Sequence, residues 1–334
     1  MPVADSPLAD LGPDSRGEGV VFHGDNLAVL AGFDDASFTL IYLDPPFNTG
    51  RAQARRSTTV KRVPAAEGHA PDAPEPVAPA AAPARPGVAP APTEPAAASG
   101  TPAPRYAGFK GQLYERIKGD ILSYDDRFDD YWAFLEPRLV EAWRLLTDDG
   151  TLYLHLDYRE AHYAKVLLDA LFGRESFLNE IIWAYDYGAK SKNRWPTKHD
   201  TILVYVKNPA GYHFDSEAVD REPYMAPGLV TPERAARGKL PTDVWWHTIV
   251  SPTGREKTGY PTQKPEGVLR RIVQASSREG DLVLDFFAGS GTTGAVAAAL
   301  GRNYVLVDQN PEAIEVIRRR LPAARVVAFV PPAP

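Results

Sequence analysis

The sequence predicts an α/β protein built on a doubly wound, mostly parallel sheet. Three observations point there. Short runs of β-forming apolar residues recur along the chain, segments with helical apolar spacing separate them, and one strand runs straight into a helix through a glycine-rich turn. Strands that alternate with helices of roughly 10 to 15 residues form parallel sheets covered on both faces, which is why such strands read as continuous apolar runs.

Taken in order, Phe38-Thr-Leu-Ile-Tyr-Leu43 is a buried strand that stops at Asp44-Pro45-Pro46. Apolar residues at helical spacing predict a helix over 129–146, followed by Asp148-Asp149-Gly150 and a strand over 151–156. A helix over 160–172 and strands over 181–184 and 201–206 continue the alternation. Asp281-Leu-Val-Leu-Asp285 is another buried strand, its glycine-rich turn opens a helix reaching Leu300, and Tyr304 to Val307 is the next strand.

With 334 residues, the chain has room for one large domain with insertions or for two domains. Hydrophobic residues make up 44% and charged residues 24%, an ordinary globular mixture that fits neither wholesale disorder nor a fibrous repeat. The stretch 63–104 stands apart. Its 42 residues include 12 prolines and 15 alanines and almost no large apolar side chains, so it is expected to be a disordered insertion in a loop. The resulting partition is a first part of the main domain over 1–62, the insertion over 63–104, a continuation of the main domain over 105–207, an irregular proline-bearing region over 208–247, and a last part of the main domain over 248–334. No apolar run reaches the ~18 residues of a membrane span, and the first residues lack a signal peptide's basic and apolar regions. A cytoplasmic protein with no membrane partner is the expectation. The net charge of -6 says little about polyanion binding, which depends on local patches. Cysteine is absent, which removes thiolate metal sites and any cysteine nucleophile.

In sheets of this kind ligands bind beyond the carboxyl ends of the strands, which directs attention to Asp44 and Asp285. The turn Asp285-Phe286-Phe287-Ala288-Gly289-Ser290-Gly291-Thr292-Thr293-Gly294 lets the backbone approach a ligand closely and ends at a helix N-terminus. Read literally, Gly289 to Gly294 matches the dinucleotide pattern G-x-G-x-x-G, with Asp308 ending the next strand as a ribose-binding acid would, so a nicotinamide-dependent oxidoreductase is one reading. An acid at Asp285 would repel a pyrophosphate, however, and would suit an ammonium or hydroxyls. At Asp44-Pro45-Pro46-Phe47 the carboxylate and the Pro45 carbonyl can accept both N–H bonds of an exocyclic amine, while Phe47 offers a flat face for a base taken out of a duplex.

Together these segments resemble the β-class DNA amino-methyltransferases, the site-specific N6-adenine and N4-cytosine family. The resemblance extends to Gly24-Asp25-Asn26-Leu27, Leu40 to Gly50, Thr151 to Asp157, Asn179 to Trp183, Gly259-Tyr260-Pro261-Thr262-Gln263-Lys264-Pro265 and Asp281 to Asp308. It implies a seven-stranded, circularly permuted fold that binds S-adenosylmethionine (SAM), with the Asp44, Pro45, Pro46 and Phe47 tetrad as the catalytic site. It also implies a SAM site formed by Asp25, Thr262, Gln263, Lys264, Asp285, Phe286, Phe287, Ala288, Gly289, Ser290, Gly291, Thr292, Thr293 and Asp308. Adenine N6 in double-stranded DNA is the expected target, because Asp-Pro-Pro-Phe is more usual in that branch and Ser-Pro-Pro-Tyr in the cytosine-N4 branch. Without cysteine the covalent route to cytosine C5 is closed, and Asp and Phe differ from the Asn-Pro-Pro-Tyr of the related glutamine methyltransferases. A homodimer and a cognate restriction endonuclease are partners the resemblance leaves open, as is a catalytically silent nucleic-acid-binding module.

DNA phosphate contacts are expected from Arg51, Arg55 and Arg56 beyond the tetrad. A second basic cluster, Lys190, Lys192, Arg194 and Lys198, is interleaved with Tyr185, Tyr187 and Trp195. The region 208–247 is the candidate for target recognition. His155, His199 and His247 are isolated and lack metal-ligand spacing, so no metal site is expected.

Overall fold

A computed structural model describes residues 8, 11, 14–47, 53–62, 105–107, 113–124, 131–188, 190–251 and 253–329, the three segments between 53 and 124 as backbone strands only. The chain divides into two compact units, one comprising residues 1–53 and 124–334, the other residues 54–123.

The larger unit is built on nine strands. They are β1 (Gly19–His23), β2 (Phe38–Leu43), β6 (Leu146–Leu156), β7 (Phe177–Ala184), β8 (His199–Val206), β9 (Val244–Trp246), β10 (Leu282–Asp285), β11 (Asn303–Asp308) and β12 (Arg325–Ala328). They lie in the order β12-β1-β11-β10-β2-β6-β8-β7-β9. Only β8 runs against its neighbours, pairing antiparallel with β6 and β7. The short strands β12 and β9 extend the seven-strand core at its two edges, each in parallel pairing. The strands that come first in the chain, β1 and β2, flank the late strands β11 and β10. That is the circular permutation expected from the sequence.

Successive residues of the strands feed opposite faces, as a pleat requires. Ile41 and Leu43 join one core cluster with α1 (Asn26–Leu30), α2 (Tyr131–Leu145) and α3 (Ala161–Phe172). Leu40 and Tyr42 join the other with α5 (Glu266–Ser276), α6 (Thr292–Ala299) and α7 (Pro311–Arg320). The β10–α6–β11 crossover uses one face and the β2–α2–β6 crossover the other. The chain therefore leaves β10 and β2 in opposite directions, and the carboxyl ends of these neighbours border the topological switch point where open α/β sheets bind ligands.

The smaller unit departs from the sequence reading. The basic stretch after the tetrad, for which no strand was expected, contains the strand β3 (Gln53–Arg62), and β4 (Arg105–Ala107) and β5 (Leu113–Tyr124) complete a three-stranded sheet in the order β3-β5-β4. These strands hydrogen-bond to one another in a sheet of their own, so the ends flanking the Ala/Pro stretch do not continue the catalytic sheet. Thr58, Thr59 and Val60 supply β-branched residues, but the surrounding Arg and Lys hide any apolar alternation. The stretch 63–104 itself lies outside the described residues, as does Arg51; the side chains of Arg55 and Arg56 are likewise not described. Among the described residues no helix is long and apolar enough to cross a membrane.

Candidate active site

Six strands bring an acid to one edge of the sheet. Asp25, Asp308, Asp285, Asp44 and Asp157 stand at the carboxyl ends of β1, β11, β10, β2 and β6, and Asp200 stands near the start of antiparallel β8. The tetrad and the glycine-rich turn meet there. The β2–β10 register sets Ile41 beside Leu284, and Lys264 bridges the two segments: its ammonium is ion-paired to Asp44, while its carbonyl accepts from Thr292 Oγ1 at 3.2 Å.

Asp44 and Lys264 are both largely buried, with side-chain exposures of 16% and 10%. The lysine engages Oδ2 of Asp44. The other oxygen, Oδ1, is buried with no hydrogen-bond partner among the described residues. A buried carboxylate oxygen without a donor is costly to leave so, and it therefore marks where a ligand N–H can bind. Pro45 is buried and Phe47 half-buried. Phe47 lies 5.8 Å from the His155 ring and has the Lys264 ammonium 4.9 Å from its centroid. Beyond Phe47 opens a cleft of about 480 Å³, walled by Tyr158, Trp183, Tyr185, Tyr187 and Tyr260, with Asp157 and Asp200 among its polar groups.

The glycine-rich turn is braced from within. Asp285 accepts from Phe287 N at 3.0 Å and from Thr293 Oγ1 at 2.6 Å. Burial pushes its carboxyl up to about 7, against the lowering effect of those two hydrogen bonds and with help from the charges of Asp44 and Asp308. Asp308 accepts from Gly289 N and Asn310 N, both at 2.8 Å, and burial raises its carboxyl as well. Gly291 gives its own N–H to the Ala288 carbonyl. Those two glycine donors are thus committed inside the protein, and three acids border the site, so the loop is poorly suited to a pyrophosphate. Buried, electron-rich carboxylates fit instead the ammonium and sulfonium of SAM, with Asp285, Asp308 and the turn backbone as the groups able to hold it.

Several residues expected at the cofactor work through the scaffold. Phe286 is 1% exposed and its side chain belongs to the core, so only its backbone faces the site; its carbonyl accepts from Asn26 Nδ2 at 2.9 Å. Ser290 and Thr292 share a hydroxyl contact at 3.0 Å, and Ala288 is buried. Gln263 accepts from Thr258 N and Oγ1 and donates to the Glu256 carbonyl, which ties its loop together. Thr262 holds a φ of 60°, left-handed backbone that a β-branched residue rarely adopts. Asp25 caps α1 through Ala28 N and pairs with Arg138 at 3.3 Å. Phe287 is half-buried against Phe134, 5.9 Å away.

A second polar chain, missed in the sequence, runs behind Phe47. Asp200 is acceptor-only when ionised, so His155 Nε2 donates to it at 3.3 Å, and Nδ1 is then the acceptor for Tyr42 OH at 2.7 Å. Tyr185 OH donates to the other Asp200 oxygen at 3.0 Å. Burial would raise the Asp200 carboxyl, but hydrogen bonding and charge from His155, the Lys264 charge and the Tyr185 hydrogen bond together hold it below the usual range. Burial, aided by Asp44, Asp285 and Asp200, pushes Tyr42 well above the usual phenol range. Both ring nitrogens of His155 are thus engaged in hydrogen bonds within the protein. Asp157 was legible: it ends a strand as Asp44 does. Burial raises its carboxyl despite the bond from Arg159. Among the described residues no group of His, Cys, Asp and Glu could hold a metal ion.

Lys190, Lys192 and Arg194 are exposed and lie in the β7–β8 loop, whose Tyr187, Gly188 and Thr197 line the cleft. Lys198 is half-buried and 3.5 Å from Asp186. Trp195 in the same loop is 94% exposed.

The chain is similar to several known DNA methyltransferases. The type II methyltransferase M2.DpnII of Streptococcus pneumoniae is 45% identical over 224 residues, 64% of this chain and 75% of that protein. The DNA adenine methyltransferase YhdJ of Escherichia coli (strain K12) is 35% identical over 208 residues, 60% and 69% of the two. The type II methyltransferase M.HpaI of Haemophilus parainfluenzae is 34% identical over 204 residues, 60% and 63%. The chain thus spans 63 to 75% of the length of these relatives. In fold it is similar to the cytosine-N4-specific PvuII DNA methyltransferase, with a TM-score of 0.56 at 14% identity over 92% of this chain and 87% of that one. It is also similar to the M1.HpyAVI–SAM complex, with a TM-score of 0.50 at 18% identity over 91% and 98%. The family model described as DNA methylase, whose members use SAM, matches residues 38–319, from the first residue of β2 into the last turn of α7. That span holds the tetrad, the Lys264 loop, the glycine-rich turn and Asp308, and the chain belongs to the N6/N4 DNA methylase family.

Proposed function

We propose that this protein transfers a methyl group from SAM to the exocyclic N6 of an adenine taken out of double-stranded DNA. The observation that carries the reading is Oδ1 of Asp44, buried without a hydrogen-bond partner among the described residues, while Lys264, which lines the aromatic cleft together with Phe47, holds Oδ2. An exocyclic amine is a weak nucleophile because its lone pair is delocalised into the ring. Oδ1 of Asp44 and the Pro45 carbonyl, accepting its two N–H bonds, favour a pyramidal nitrogen whose lone pair is free to react. Phe47 and the cleft tyrosines supply flat faces for a flipped base. SAM, when bound, supplies a sulfonium methyl carbon, and forming the N–C bond returns the C–S electron pair to sulfur and releases one amine proton to water.

Adenine is favoured by the Asp-Pro-Pro-Phe form of the tetrad and by the likeness to a relative named as an adenine methyltransferase. Cytosine N4 presents the same two protons on a smaller ring. The exposed Lys190, Lys192 and Arg194 are the phosphate contacts of this reading. The irregular region 208–247, which exposes Met225 and Leu229, is its target-recognition segment. Mass spectrometry of nucleosides from DNA incubated with the protein and SAM is the test. N6-methyladenine is expected; N4-methylcytosine alone would move the target to cytosine, and neither product would overturn the assignment.

A further inference from the structure

The Lys264–Asp44 ion pair joins residues 220 apart in sequence. Three restraints fix the position of the lysine. Thr262 adopts its left-handed φ of 60°, Gln263 makes hydrogen bonds of 2.7 to 2.8 Å within its own loop, and the Lys264 carbonyl accepts from Thr292 Oγ1. Backbone strain of this kind persists only where its surroundings over-determine it, and it concentrates at functional sites. From there the side chain passes Phe47 and ends on Oδ2 of Asp44. By resemblance Lys264 was expected in the SAM site; the structure places its ammonium on Asp44.

On the methyltransferase reading above, we propose that Lys264 is a positioning residue for the transfer: by taking Oδ2 it fixes the Asp44 carboxylate in one orientation and leaves Oδ1 as the acceptor presented to the target amine. The terminal torsion of an aspartate is broad and roughly two-fold, so an untethered carboxylate would sample several directions. A buried carboxylate with no counter-charge would also draw in a proton or water, either of which compromises the acceptor. The surroundings sharpen the need. Asp285, Tyr42 and Tyr260 each feel the charge of Asp44, and none of them brings a positive charge to it.

The test compares Lys264→Met, which keeps the stem and removes the donor, with Asp44→Asn and with the double variant, each checked for folding by thermal melting. Lys264→Met is expected to lower the single-turnover rate at saturating DNA and SAM by ~100-fold, the scale of a misplaced reacting group, while SAM and DNA affinities stay within about 3-fold. In the Asp44→Asn background, where no carboxylate remains to be held, the same substitution is expected to cost under ~3-fold more. Weakened SAM binding with an intact saturated rate would return Lys264 to the cofactor site and overturn the proposal; so would effects that multiply in the double variant. Should Lys264→Met fail to fold, Lys264→Leu, which likewise removes the donor and keeps an apolar stem, is the second variant; a saturated rate equal to that of the unaltered protein would overturn the proposal. A wild-type chain that methylates no DNA removes the methyltransferase reading and the proposal together, whereas an active wild type with an unaffected Lys264→Met removes the proposal alone.

Discussion

Asp285 shows how a single side chain can serve two ends. Its two oxygens hold Phe287 N and Thr293 Oγ1 and thereby shape the turn, while its burial beside Asp44 and Asp308 makes ionisation unfavourable until something cationic arrives. The stability consequence has a definite sign. The folded carboxyl titrates near 7 and the unfolded one near the ordinary aspartate value of 3.8, so between those values the folded state holds the extra proton. Its contribution is fully present below about pH 4 and is lost as pH rises through 7. Asn can keep the bond from Phe287 N and does not titrate. The melting temperature of the wild type relative to Asp285→Asn should therefore fall between pH 4 and 7 and level off above it; a difference independent of pH would show that Asp285 is not held protonated. This behaviour was out of reach of the sequence, which showed the acid before the loop but not that its oxygens are spent inside the protein. The pairing of Asp44 with Lys264 was hidden for the same reason, since nothing local relates residues so far apart.

At the scale of elements, the turn between β10 and α6 works because two of its glycines, Gly289 and Gly291, adopt left-handed backbone that other residues rarely take. Gly291 has a φ of 71°, and a Cβ there would stand 2.9 Å from Ile317 Cγ1 of α7. Gly291→Ala combines a left-handed alanine, costing about 1 to 2 kcal/mol, with that contact. A melting temperature a few degrees lower, together with weakened SAM binding, is expected by scanning calorimetry and titration; for a chain of 334 residues each kcal/mol is about 1.4 °C. Gly228→Ala, where a Cβ would meet nothing within 4 Å, is the control and should leave both unchanged. The strands and helices around the switch point were legible because burial on both faces writes itself as continuous apolar runs: β2 was read to the residue. The strands β1 and β12 at the far edge of the sheet were not. Nor were β3 and β5, because their charged residues erase the alternation from which strands are read.

For the whole molecule, charge distribution decides what net charge does not. The chain carries -6 overall, and its sheet edge concentrates acids, an unpromising summary for a DNA enzyme. The field that a duplex meets is local, however. Lys190, Lys192 and Arg194 stand exposed on the loop that lines the cleft, and Trp195 offers its whole indole face beside them. Each cation that neutralises a phosphate releases about 0.9 of a counterion, so losing three such contacts should reduce the slope of log affinity against log salt by about 2.7. The variant carrying Lys190→Gln, Lys192→Gln and Arg194→Gln tests this by fluorescence anisotropy with a labelled duplex between roughly 50 and 200 mM salt. Non-specific and specific duplexes should lose the same slope, because phosphate contacts position the protein without reading bases. A slope equal to that of the unaltered protein would move the phosphate track away from this loop, with Arg51, Arg55 and Arg56 as the next basic residues to substitute.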